Sequence, residues 1–403
     1  MIESGIAIFV LLLMAAAAVA ILVGRLPIPY VSALALVGVV GGTVIGFNGL
    51  QLTPSLILFG LVPGLLFEAA YNLNWKHLRD NLISVGALAT LGVLLTTAVA
   101  AALGHVALGL PIAFAILFGA LVAPTDPVAV IAVFKRLGVP SRLANLIEAE
   151  SLLNDGTGVA LFTIALAATT TTITLWAGAL QFVILAAGGL ALGVAIGFAF
   201  SQLTARVDDP QVEITFTAIA AYGGYLLGEY LHVSGLLTVV GAALVLGNYG
   251  RPRGMSATTQ TAVSLFWDYV AFVLNSVIFL LIGISVPFTI LLDQGWVVLG
   301  AAVVVLLARA ATVYGVLGLL RPLGRHVSLR WQHLIVWSGL RGAIAVALLL
   351  SLTQVGPEFD RVRALVYGVV LISIVFQGLT IGPLTRILLP HGAGQRDELP
   401  PAS

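Results

Sequence analysis

Asn154 and Asp155 lie inside the apolar string ESLLNDGTGVALF, Glu150 to Phe162, with no aqueous flank. A carboxylate near the middle of a membrane-length segment costs about 3 kcal/mol on insertion scales. It persists by facing a polar pocket, pairing with a cation or taking up a proton, and each option points to ion or proton handling. Ser151 lies one helical turn before Asn154 and Asp155, so all three share a face. Gly158 continues that face and lets another helix come close. A hydroxyl, an amide oxygen and a carboxylate are hard ligands, suited to a small hard cation rather than a soft metal.

A second polar interruption lies in GALVAPTDPVAVIAV, where Pro124 and Pro127 flank Thr125-Asp126. Proline lacks an N–H and clashes with the preceding turn, so carbonyls near residues 120–124 lose their helical partners. Such carbonyls are tolerated at membrane depth where they line a cavity, and there they can coordinate a cation. Asp155, Asp126 and a freed carbonyl near Thr125 together make a plausible cation site. A similar break occurs in WSGLRGAIAVALLL, where Gly339 and Gly342 flank Leu340-Arg341. Matching interruptions in two inverted halves are the best sequence pointer to a transporter's binding site.

Glu150 and Arg341 are buried opposite charges and are expected to pair, because truncating one such partner strands the other at roughly 3–5 kcal/mol. Arg341 is also expected to offset the C-terminal dipole ends at the crossing. Glu68, in LLFEAAYNL, is a further in-span carboxylate that could line or gate a cation path or sit at the membrane interface. Arg309, Glu213, Glu229 and Asp268 lie nearer span ends, where snorkelling is the simpler reading.

The elements that must position these groups follow from composition. The chain has 403 residues, 60% hydrophobic and 9% charged, against about 25% charged in soluble domains. Mean hydropathy is +1.11. This is an all-α polytopic membrane protein, with lipid as its surroundings. A net charge of +1 gives no field for nucleic acid, and the absence of cysteine excludes disulfides and thiolate chemistry.

Proline, glycine and charge divide the chain into about thirteen apolar spans. They run approximately over 5–24, 29–47, 54–73, 82–104, 111–134, 146–168, 174–203, 212–230, 234–249, 263–287, 291–318, 331–353 and 362–389. The first is expected to be a retained helix rather than a cleaved signal, since Glu3 is the sole charge before it. Loops after odd-numbered spans hold 12 Lys and Arg, and loops after even-numbered spans hold 2. The positive-inside rule then places the odd loops and the C-terminus in the cytoplasm and the N-terminus outside. The interrupted spans are the fifth and twelfth, which makes them antiparallel. Residues 391–403 read as a short polar cytoplasmic tail. No ATP-binding, zinc-protease or ordered Ser/His/Asp constellation is visible, so the chain is read as a secondary transporter and not an enzyme.

These strings resemble the NhaP/NHE-type monovalent cation:proton antiporters, the Asn-Asp branch of the cation:proton antiporter superfamily. The matching motifs are APTDPVAV (123–130), ESLLNDGTGVALF (150–162), HVSGLLTVVGAALVLGN (232–248), FWDYVAFVLNSVIFLLIG (266–283) and GLRGAIAVAL (339–348), with LFEAAYNL at 66–73. The resemblance implies two inverted repeats with crossing interrupted helices, and a homodimer in the cell membrane. Within 1–390 it implies an interface part at about 1–73 and 212–287, a moving core at about 82–168 and 291–389, and a linking helix at 174–203. It implies Asp155 as the carboxylate that binds cation and proton alternately, supported by Asn154, Ser151, Thr125 and Asp126. Na+ would sit at Asp155, Ser151 and Thr125, and Glu150–Arg341 would be the structural ion pair.

No cofactor is expected beyond the transported Na+, or Li+ or K+, and H+. Asp155 can hold a proton or a cation but not both, with a working pKa expected near physiological pH. Asn154 cannot titrate, so electroneutral 1:1 exchange is expected, with Asp126 as a second carboxylate that could alter the count. The alternative is a sodium-coupled solute symporter of related fold, which would need a larger polar pocket. A channel would need a selectivity filter, and none is visible.

Overall fold

The computed structural model describes residues 2–24, 28–45, 53–285, 288–324 and 327–389. Within them the regular structure is helical, with no strand, and consecutive turns merge into fifteen helices. These are α1 (Ile2–Val23), α2 (Tyr30–Ile45), α3 (Leu56–Asn72), α4 (Trp75–Leu108), α5 (Ile112–Leu121), α6 (Val128–Leu137), α7 (Ser141–Ala167) and α8 (Leu175–Thr204). There follow α9 (210–230), α10 (235–254), α11 (Ala257–Ser285), α12 (Phe288–Leu320), α13 (Leu329–Trp337), α14 (Ala343–Leu350) and α15 (Pro357–Leu388). Helices α5 and α6 are two halves of one passage, as are α13 and α14. The described residues therefore make thirteen passages, in the order the hydropathy predicts. The tail at 391–403 lies outside the described residues.

Boundaries follow local chemistry. Helix α4 begins at Trp75, not near residue 82, because Asn74 caps it by accepting from the Lys76 and His77 N–H groups. Its polar first turns, WKHLRDN, are thus helical rather than loop. Asp209 caps α9 in the same way, accepting from Gln211 and Val212. Each such cap satisfies N–H groups that have no partner within the helix.

The two breaks are where the sequence places them. Helix α5 stops at Leu121 and α6 starts after Pro127; α13 stops at Trp337 and α14 starts after Gly342. The unwound strands meet directly, with the Asp126 N–H donating to the Leu340 carbonyl at 2.8 Å. Helix α7 lies against this crossing and against α4. Residues Leu88–Gly92 of α4 form a wide turn with a misaligned carbonyl, and Thr157 of α7 donates to Ala89 O there at 2.6 Å. Wide turns leave one carbonyl without its helical donor, and a hydroxyl from the next helix supplies it.

Candidate cation site

Helix α7 presents Glu150, Ser151, Asn154 and Asp155 to the crossing, and all four are buried. Asn154 ties the helix to the broken segment. Its side-chain oxygen accepts from the Thr125 N–H at 3.1 Å. Its amide nitrogen donates to Thr125 Oγ1 at 2.7 Å and to Glu150 Oε1 at 2.9 Å. Ser151 donates to the Thr125 carbonyl. That donation leaves the Ser151 oxygen lone pairs free to face a cation.

The four half-helix ends carry partial charges of both signs at the crossing. Asp126 stands before the N-terminus of α6 and accepts from Val128 N at 3.1 Å and from the Ala343 N–H at the start of α14. One carboxylate thus answers both positive ends. At the negative ends, Arg341 donates to the Ala123 and Pro124 carbonyls at 2.8 and 3.0 Å, and Arg309 donates to Ile335 O at 3.3 Å. The Ala123, Pro124 and Thr125 carbonyls, freed by the break, are therefore met by guanidinium and hydroxyl donors, which fixes the break in shape.

One expectation is corrected. Glu150 does not pair with Arg341. It forms a two-pronged ion pair with Arg309, both contacts at 2.8 Å, and both residues are almost fully buried. Arg341 is turned towards the Ala123 and Pro124 carbonyls in the break after α5, which have no helical donors of their own. Arg309 is consequently not a snorkelling residue: it lies at 4% exposure within α12. The parallel N–H fork of arginine suits a carboxylate held side-on.

Asp155 differs from its neighbours. Among the described residues its carboxylate has no hydrogen bond or ion pair, and it borders a cavity of about 310 Å³. Thr125, Asp126 and Ser151 border the same cavity, as do Pro124, Pro127 and Gly342. Glu68 of α3 lines it too, accepting from Asn72 at 2.8 Å. Glu148 and Lys135 are lining residues that the sequence reading did not single out, and the cavity reaches the surface at Ala132 and Lys135, both exposed. Glu148 lies two turns before Asp155 on the same helix face, a spacing that could have revealed it.

Two glycines make the close fit possible. A Cβ on Gly158 would lie 2.4 Å from Pro124 Cγ, so the proline ring rests on bare helix backbone. A Cβ on Gly342 would lie 2.1 Å from Asp126 Oδ2 and 2.4 Å from its Cβ. Gly342→Ala is therefore expected to push Asp126 off both half-helix ends. The expected result is a clear drop in melting temperature, worth about 1–3 kcal/mol of overpacking, with loss of transport. Wild-type melting and flux in this variant would show that the crossing yields without harm.

The sodium/hydrogen exchanger transmembrane family matches residues 9–387, nearly the whole chain. The chain belongs to the sodium/hydrogen exchanger family. It is 40% identical over 359 residues to the Na+/H+ antiporter ApNhaP of Aphanothece halophytica, covering 88% of this chain and 68% of that one. It is 39% identical over 339 residues to the Na+/H+ antiporter NhaP of Pseudomonas aeruginosa, covering 81% and 79%. The solved structure of the sodium proton antiporter MjNhaP1 from Methanocaldococcus jannaschii superposes with a TM-score of 0.77 over 97% of this chain and 100% of that one. Sequence identity there is 22%, so this match speaks to the shared fold. The exchanger is thus a multi-pass secondary antiporter, and the symporter alternative finds no support among these relatives.

Proposed function

We propose that this exchanger moves one Na+ against one H+ across the cell membrane, with Asp155 binding the two in turn. The observation that carries the reading is the contrast at the crossing. Glu150, Asp126, Arg309 and Arg341 are each committed to a partner, while Asp155 faces the cavity without one. Na+ would sit between the Asp155 carboxylate, the Ser151 oxygen and Thr125. Asn154 holds these elements together, and Glu68 lines the approach.

The charge balance supports one-for-one exchange. Two guanidiniums, Arg309 and Arg341, oppose three carboxylates, Glu150, Asp126 and Asp155, at the crossing. The empty site carries one negative charge. One Na+ or one proton brings it to zero. An uncompensated charge at membrane depth is expensive, so the empty core resists movement and either loaded core moves. That is obligatory exchange, and equal loaded charge makes it electroneutral. Asn154 supplies no second titrating group.

The basic end of the molecule, with Lys76, Arg79, Lys135 and Arg142, is assigned to the cytoplasm by the positive-inside rule. The cavity mouth at Lys135 then faces inward, so the conformation is inward-open, with the N-terminus outside. The segments 82–168 and 291–389 carry the site and would move against 1–73 and 212–287, linked by 174–203, in a homodimer.

Proteoliposomes with a trapped pH dye test the stoichiometry. A K+ diffusion potential set with valinomycin is expected to leave the rate of Na+-driven proton flux unchanged, whichever its sign. A rate that follows the imposed potential would mean unequal charge exchange and would return Asp126 to the count.

A further inference from the structure

Asn275 and Ser276 interrupt the apolar string AFVLNSVIFLLIG of α11. Ser276 is committed, bonding the Tyr30 hydroxyl at 2.8 Å and donating to the Phe272 carbonyl. Asn275 is not. Its Oδ1 is buried without a hydrogen bond, and among the described residues its side-chain amide has no partner. An unmet amide within a membrane-length helix is expensive and calls for a reason. Its position supplies one: Asn275 borders the cavity of about 310 Å³ that Asp155, Ser151 and Thr125 also border.

Local packing brings Asn275 to the same cavity as Glu68. A Cβ on Gly64 would lie 2.8 Å from Leu274 Cδ1, so α11 rests on bare α3 backbone one residue before Asn275. Glu68 lies one turn after Gly64 on that face of α3. The Phe67 and Trp267 rings, with centroids 4.6 Å apart, hold the same two helices together.

We propose that Asn275 is a further cation-binding residue, which takes hold of Na+ between Glu68 and Asp155 as the ion enters or leaves. The inference rests on Asp155 being the exchange carboxylate. A carboxamide oxygen is a hard, neutral ligand suited to a small hard cation. Neither end of the amide has a partner to lose. It is free to turn Oδ1 to the cation, and its NH2 group to a carboxylate once the cation has gone. Being neutral, it adds nothing to the charge count at the crossing, so the one-for-one balance stands. Helix α11 belongs to the part read as stationary and Asp155 to the moving core. Asn275 therefore meets the cation in the conformation described here and parts from it when the core moves.

The test titrates Na+ into purified protein in weakly buffered detergent solution and reads both proton release and melting temperature. Asn275→Leu keeps the size and removes both polar ends. It is expected to raise the half-saturating Na+ concentration about tenfold, the worth of one contact of hydrogen-bond strength. Proton release at saturation should be unchanged, and melting should not fall, because no hydrogen bond is lost. Asn275→Asp keeps an oxygen at the site and is expected to half-saturate at or below the wild-type Na+ concentration. Ser264→Ala removes another unbonded polar atom of α11, one that does not border the cavity, and is expected to change nothing. Unchanged half-saturation in Asn275→Leu would overturn the assignment. So would equal rises in Asn275→Leu and Asn275→Asp with lower melting in both, which would mark a packing role. Both results leave Na+-driven proton release intact in wild type. Its absence there would overturn the exchange reading and this inference with it.

Discussion

Asp155→Asn is expected to abolish Na+-dependent proton flux and to leave the fold intact. Asparagine keeps the shape and removes both the cation ligand and the proton site. Losing one partner of a buried ion pair costs roughly 3–5 kcal/mol, so cation affinity should fall by about two to four orders of magnitude. Stability should move the other way. In the wild-type protein the empty site holds a carboxylate with no partner, at 8% exposure, and a neutral amide removes that burden. The melting temperature of purified Asp155→Asn is therefore expected to equal or exceed that of wild type. A variant that lost transport through unfolding would melt lower, and the two readouts together separate a binding group from a structural one.

The second large effect concerns the buried pair. Arg309→Gln leaves the Glu150 carboxylate without its fork of donors and is expected to destabilise by about 3–5 kcal/mol. Glu150→Gln strands Arg309 in the same way. The double variant should recover much of the loss, because no uncompensated charge remains. The same cycle with Arg341 should show weaker coupling to Glu150, since Arg341 donates instead to Ala123 O and Pro124 O. Coupling is read from melting temperatures or denaturant midpoints of the single and double variants. Stronger coupling of Glu150 to Arg341 than to Arg309 would contradict the geometry.

How far the chain explained itself can be judged from particular residues. The thirteen passages were legible because lipid demands long apolar runs and because proline, glycine and arginine mark their ends. The crossing was legible because Pro124 and Pro127 cannot both sit in an unbroken helix, and because Gly339 and Gly342 interrupt an otherwise apolar string seven spans later. Asp155 stood out through its cost. Pairing was not legible. Glu150 was expected to pair with Arg341, and Arg309 to snorkel, whereas the pairing depends on how α12 and the second break are rotated about their axes. Hydropathy carries no information on that rotation. The demand of the unwound Ala123 and Pro124 carbonyls settles it, since they take the Arg341 donors. Glu148 was hidden for a different reason. Its spacing from Asp155 puts both on one face of α7, but it sits near the basic end, where a carboxylate is cheap, and the cavity shows the two on one wall.

The start of α4 shows the reverse case. Its first turns are polar and charged and were read as loop. Helix formation there rests on the Asn74 cap and on solvent, not on apolar periodicity. This moves Lys76 and Arg79 from a loop onto a helix without changing the end of the molecule they mark.

The central claim is that one carboxylate, Asp155, holds Na+ and H+ in turn. The most direct measurement adds NaCl to purified protein in weakly buffered detergent solution and follows proton release, with choline chloride as the control. Wild-type protein is expected to release protons on Na+ binding, at a pH where Asp155 is protonated, approaching one per chain. The Na+ concentration needed should rise in proportion to the proton concentration. Asp155→Asn should release none. Proton release that persists in this variant, or Na+ binding in wild type that does not shift with pH, would contradict the account.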